Sequence, residues 1–190
     1  MEILLILASI CLILFMILAT FDGFYLHIFK YGLFNHKEST FEHKTHTIRA
    51  LLFPLIIGTI FLNESNEYVF FLGIIFITLD LITLAIDAWS ESESRAFMGG
   101  LPRWEYVIHL FSNSFHFAAI ILALAMKIRI FSGSVILNLE LPASWAKDMY
   151  MFIGVNIIPG AIILAILHAI LLLEGPRYIW NSYRLKITCC

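Results

Sequence analysis

Residues 3–21 are nineteen consecutive positions without a charged side chain. As a helix they would rise about 28 Å, close to the ~30 Å thickness of a bilayer's hydrocarbon core. The run begins on Met1-Glu2 with no basic stretch, and its apolar core is longer than that of a cleaved leader. It is therefore expected to be a retained membrane helix.

Four more apolar stretches follow, and lipid leaves only helices and closed barrels as ways to satisfy a spanning backbone. The expected fold is all-α: one domain over 1–190, an integral membrane bundle of five helices at about 3–28, 40–62, 67–89, 103–127 and 149–173. Ser39 and Glu42 have the spacing of a capping box at the start of the second helix. Pro102 suits the start of the fourth, and Gly175-Pro176 reads as a helix stop after the fifth. Pro54 and Pro159 are candidate kinks. In the longest connection, 127–147, residues 134–141 partly alternate, as a short strand or an interfacial segment does.

Composition agrees. The chain is 61% hydrophobic and 14% charged, whereas soluble domains are about half apolar and about a quarter charged. A net charge of −2 gives no basic excess for nucleic acid. Three cysteines, Cys11, Cys189 and Cys190, form no disulfide or metal framework. The terminal pair is read as a free tail, with lipidation as the alternative.

Lysines and arginines divide nine to three between the two sides of this topology. The positive-inside rule then puts the N-terminus outside and the C-terminus in the cytoplasm, in a membrane such as a bacterial inner membrane. On that layout all seven histidines fall in the cytoplasmic half. At about 100° per residue, Glu105, His109 and His116 lie within about 40° of one another, with Ser112 on the same stripe. Glu42, His46 and Arg49 form a second stripe, and Asp80 and Asp87 share a third face. A carboxylate at mid-helix costs about 2.5–3.5 kcal/mol even on lenient insertion scales, so such stripes face inward and are paired, protonated or metal-bound.

Imidazoles and carboxylates converging from several helices are the donor set of non-haem iron, manganese or zinc. The metal-ligand candidates are Glu42, His43, His46, Asp87, Glu105, His109, His116 and His168, with Asp22, His27 and Asp80 in a second tier. Glu42…His46 and Glu105…His109 repeat Glu-x-x-x-His, by the same logic as the Glu-x-x-His of soluble di-iron bundles but at a different spacing. Glu42-His43-x-x-His46 is not the zincin motif, because its glutamate precedes the first histidine.

The function expected from this set is a membrane metalloenzyme. The leading form is a non-haem di-iron oxygenase of hydroxylase or desaturase type, acting on a lipid or other apolar substrate. It would draw electrons from an external donor, since the chain carries no dinucleotide-binding or Cys-x-x-Cys motif. Arg49, Arg95 and Arg103 are candidate headgroup contacts. Alternatives are a zinc hydrolase, a b-type haem cytochrome, and a non-enzymatic proton or metal transporter or assembly subunit. Asp80 can also act as structural glue by pairing with Arg49 or a histidine. Glu91, Glu93 and Arg95 read as a polar loop.

Overall fold

The computed structural model describes residues 1–188, and the cysteine pair 189–190 lies outside the described residues. The chain is a helical bundle: α1 Glu2–Thr20, α2 Thr40–Ile56, α3 Glu67–Ser94, α4 Arg103–Lys127, α5 Trp145–Ile170 and α6 Glu174–Thr188. Two π-helical segments extend it, Phe21–Tyr31 after α1 and Ile57–Phe61 after α2. α1 packs on α4 and α5, and α2 packs on α3 and α5.

Four helices are long and apolar enough to cross a membrane: Glu2–Tyr31, Glu67–Met98, Arg103–Lys127 and Trp145–Ile170. The chain is thus a membrane protein in character. Its second helix is different, because Glu42, His43, Lys44, His46 and Arg49 occupy its first three turns.

Burial follows helical spacing. On α1, Leu5, Ala8, Leu12 and Phe15 face the core, while Ile3, Leu7, Ile10 and Ile17 face outward. α5 buries mainly small residues, Ala146, Gly154, Ala161 and Ala165, which let neighbouring helices approach closely. Gly73 on α3 is the tightest approach: a Cβ there would lie 2.5 Å from Ile60 Cδ1.

The ends depart from the expected boundaries in ways that have local causes. Asn66 caps α3, accepting from Val69 N at 3.1 Å, and Ser144 starts α5 four residues early by accepting from Lys147 N at 3.2 Å. The capping box at Ser39 and Glu42 does not form. Ser39 Oγ donates to the Ser94 carbonyl at 2.6 Å, and Glu42 turns into the bundle. Gly175-Pro176 does not end the chain's helical structure; both lie in the first turn of α6, where a proline's missing N–H costs nothing.

The connection after α4 contains a hairpin, β1 Ile128–Phe131 paired antiparallel with β2 Ser134–Leu137. Its two-residue turn has φ of 49° at Ser132 and 77° at Gly133, the pattern of a type I′ turn. Beside it, Lys127 Nζ donates to the carbonyls of Ile60 at 2.7 Å and Asn63 at 2.6 Å, satisfying the end of the second helix.

The close approach at Gly73 gives a packing test. Gly73→Ala should destabilise the protein by about 1–3 kcal/mol, as overpacking does. Adding Ile60→Val, which removes the obstructing methyl, should recover part of the loss in thermal unfolding of the detergent-solubilised protein.

Candidate metal centre

The polar residues gather at one end of the bundle. They come from the π-helical segment Phe21–Tyr31, the first turns of α2, the last turns of α3, the start of α4 and the end of α5. Asp22, His27, Glu42, Asp80, Asp87, Arg95, Glu105, His116 and His168 are all buried.

The π-helical segment sets the first part of the site. Residues five apart on an α-helix diverge by about 140°. In the i→i+5 register of a π-helix they stack, and His27 Nε2 lies 3.2 Å from Asp22 Oδ1. Asp22 Oδ1 is also 2.9 Å from His109 Nε2 on α4, and His27 Nε2 is 3.8 Å from Glu105 Oε1. One candidate ligand group is therefore Asp22, His27, Glu105 and His109, with one donor atom of each within 4.8 Å of the others. Glu91 Oε1 contacts His109 Nδ1. A carboxylate on the far ring nitrogen is the arrangement that orients metal-ligating histidines.

A second group is His27, Glu42 and His46. His46 Nε2 lies 3.6 Å from Glu42 Oε1, its partner one turn back, and 3.2 Å from Asp87 Oδ2 on α3. Asp87 is held in turn by Thr45, whose hydroxyl meets its Oδ1. Ligands at about 2.0–2.2 Å from a metal stand up to about 4 Å apart, so these spacings fit a coordination shell.

Arg95 occupies the middle. Sequence reasoning placed it in a polar loop and offered it to lipid headgroups; the structure corrects both. α3 runs five residues beyond its expected end, and the turn at its close delivers a side chain with no exposure into the cluster. Its guanidinium donates to Glu42 Oε2 at 2.6 Å, to Glu105 Oε1 at 2.6 and 2.9 Å, and to His27 Nε2 at 3.1 Å. The Tyr31 ring lies 5.8 Å from its Cζ. Arg49 is likewise directed inward, donating to Asp80 Oδ1 at 3.2 Å and Asn113 Oδ1 at 2.9 Å, the glue pairing expected for Asp80. Arg103 is exposed.

The remaining candidates lie outside the two groups. His43 Nε2 is 3.0 Å from the His168 carbonyl, and the two rings stack with centroids 5.1 Å apart. His168 also lies beside Gly23, where a Cβ would meet its Nε2 at 3.4 Å. His116 sits deeper, 3.8 Å from Asp80 Oδ2. His36, never a ligand candidate, stacks on Phe97 away from the cluster.

Sequence reasoning missed Glu91 and Thr45, and it named Arg95 only as a headgroup contact and a loop residue. Glu91 and Arg95 lie beyond the expected end of α3, and the longer helix with its closing turn brings them inward. Thr45 carried no signal in the spacing.

Comparison with known protein families, curated proteins and solved structures yields no match.

The buried pairing makes a direct prediction. Arg95→Ala strands Glu42 and Glu105 without their cation, and removing one partner of a buried ion pair costs about 3–5 kcal/mol. Denaturant or thermal unfolding should show a loss of that size. Arg95→Lys should recover only part of it, because an ammonium cannot span both carboxylates as the planar fork does.

Proposed function

We propose that the chain is a membrane metalloenzyme, a non-haem di-iron oxygenase acting on a lipid or other apolar substrate. One observation carries this reading, the surroundings of His27 Nε2. Arg95 has only donors, so an Nε2 that accepts from it presents a lone pair. The same atom then faces Asp22 Oδ1 at 3.2 Å, and Glu105 Oε1 and Glu42 Oε1 at 3.8 and 3.9 Å. If Nε2 carries a proton instead, it opposes the Arg95 donor. Either tautomer leaves one contact unsatisfied. A cation on the Nε2 lone pair would neutralise the facing carboxylate oxygens and displace the single Arg95 contact to that nitrogen, leaving Arg95 its two glutamates.

Charge supports the same reading. Among the described residues, Asp22, Glu42, Asp80, Asp87, Glu91 and Glu105 surround two guanidiniums, Arg49 and Arg95. With neutral imidazoles the excess equals the charge of two divalent ions. Nε2 of His27 has one lone pair and serves one ion. Asp22, His27, Glu105 and His109 would hold the first, and Glu42, His46 and Asp87 the second. Iron held this way supplies dioxygen activation, with electrons from an external donor. The protein's own groups hold the site dry, orient His109 through Glu91, and fix Glu42 and Glu105 through Arg95. A cavity of about 110 Å³ opens beside the cluster, walled by Phe15, Met16, Phe53 and Leu164 as well as by Asp22 and His109, which suits an apolar substrate.

The reading keeps five crossings, with the second helix and its π-helical extension, residues 40–61, as the fifth. It also keeps the site on the cytoplasmic side of a bacterial inner membrane, as the lysine and arginine bias argues.

Arg95 favours a second reading, in which the cluster is a metal-free ion-pair lock between helices. Elemental analysis of purified protein separates the two. The metalloenzyme should carry about two iron ions per chain, the nuclearity of carboxylate-bridged bundle sites. Asp22→Asn and His27→Ala should lose metal, and His36→Ala should keep it. Reductant-dependent oxygen uptake should follow iron content across these variants. A folded wild-type protein without stoichiometric metal supports the ion-pair lock.

A further inference from the structure

Outside the two ligand groups, the cavity is also lined by two buried groups with unsatisfied atoms, both ligand candidates by sequence that the fold leaves out of those groups. His116 is 3% exposed, and neither ring nitrogen has a hydrogen-bond partner among the described residues. Asp80 is 1% exposed; its Oδ1 accepts from Arg49, while its Oδ2 has no hydrogen-bond partner among the described residues. Both residues line the cavity, with His116 Nε2 and Asp80 Oδ2 3.8 Å apart. Phe15 and Phe53 hold the imidazole edge-on, with centroids 4.5 and 5.6 Å away, so the ring cannot turn toward water.

A nitrogen donor and a carboxylate oxygen at that separation are bridged by a single atom that accepts from one and donates to the other at about 2.8 Å. A hydroxyl does both. A metal fits poorly here, since two protein ligands are too few and the Arg49 guanidinium already holds Asp80. A carboxylate fits poorly too, because Arg49, the cation beside Asp80, is committed to Asp80 and Asn113. A cavity of about 110 Å³ exceeds the roughly 10–15 Å³ that one water needs. The cavity lining includes Met16, Ala19, Ala161 and Leu164 beside the polar Arg49, Ser112 and Asn113.

We propose that His116 and Asp80 form a hydroxyl-recognition subsite that takes a neutral apolar alcohol, with its hydrocarbon body in the cavity. The subsite rests on the cavity geometry alone. Its role in orienting substrate rests on the metalloenzyme reading. His116 is seven residues from His109 on α4, a rise of about 10 Å. The hydroxyl would therefore be held several bonds from the carbon nearest the cluster, as a positioning handle. His116 and Asp80 are positioning residues in this scheme.

The test is ligand binding to the full chain in nanodiscs, read by thermal unfolding and native mass spectrometry with 1-octanol, octane and octanoate as probes. Binding is measured both before and after chelation, with metal content assayed in parallel. The wild type should bind 1-octanol in preference to octane and octanoate. His116→Leu should weaken 1-octanol binding about tenfold, the loss of one hydrogen bond in a buried site, with metal content unchanged. Ala161→Leu, which fills the cavity and spares the pair, should also weaken it and serves if His116→Leu does not fold. Equal binding to wild type and variants, octanoate binding as well as 1-octanol, or no binding to the wild type overturns the subsite. Loss of metal in His116→Leu also overturns it, because His116 is then a ligand. A metal-free wild type that still shows variant-sensitive 1-octanol binding keeps the subsite and removes the metalloenzyme reading.

Discussion

One fully buried guanidinium holds the polar end of this bundle together. Arg95 reaches Glu42 on α2, Glu105 on α4 and His27 on the π-helical segment. Three separate parts of the chain are therefore tied to a side chain delivered by the end of α3. Leaving either glutamate alone in an apolar bundle would be costly, so the pairing fixes where these helices end relative to one another. It also leaves Glu42 Oε1 and Glu105 Oε2 without hydrogen-bond partners among the described residues. The arginine restrains the carboxylates without using all their acceptor capacity, which is what a ligand shell requires.

The π-helical segment makes the second essential contribution. π turns are rare, usually single, and often found at functional sites. Here the segment runs eleven residues, Phe21–Tyr31. Continued as an α-helix, it would direct Asp22 and His27 to different faces. In the π register both point into the cluster, Asp22 toward His109 and His27 toward Arg95. The departure from regular helix is thus what admits α1's extension to the site.

Much of the bundle was legible in the sequence because hydrophobic runs and cap residues report helices directly. The stripes Glu105, Ser112, His116 and Asp80, Asp87 face inward as their phase requires, since α3 and α4 are regular α-helices. The phase argument does not carry over where the register changes: at 100° per residue Asp22 and His27 diverge, and the π-helical segment brings them together. It was silent where a helix outran its hydrophobic pattern. The last turn of α3 is polar, so Glu91 and Arg95 read as loop until the fold showed them buried or half-buried. Glu42 read both as a cap and as a ligand; the fold forms no cap with it and turns it inward onto Arg95. Which imidazole meets which carboxylate depends on how helices pair, and no spacing within one helix encodes that.

The account depends on the convergence of lone pairs at His27, Asp22, Glu42 and Glu105 being a cation site and not only an ion-pair lock. X-ray absorption at the iron edge of the purified, iron-loaded protein tests this most directly. The account predicts a shell of mixed nitrogen and oxygen donors with imidazole multiple scattering, and a fall in bound iron together with a weaker imidazole contribution in His27→Ala. An iron edge showing only water-like oxygen ligation, unchanged by that substitution, would contradict it.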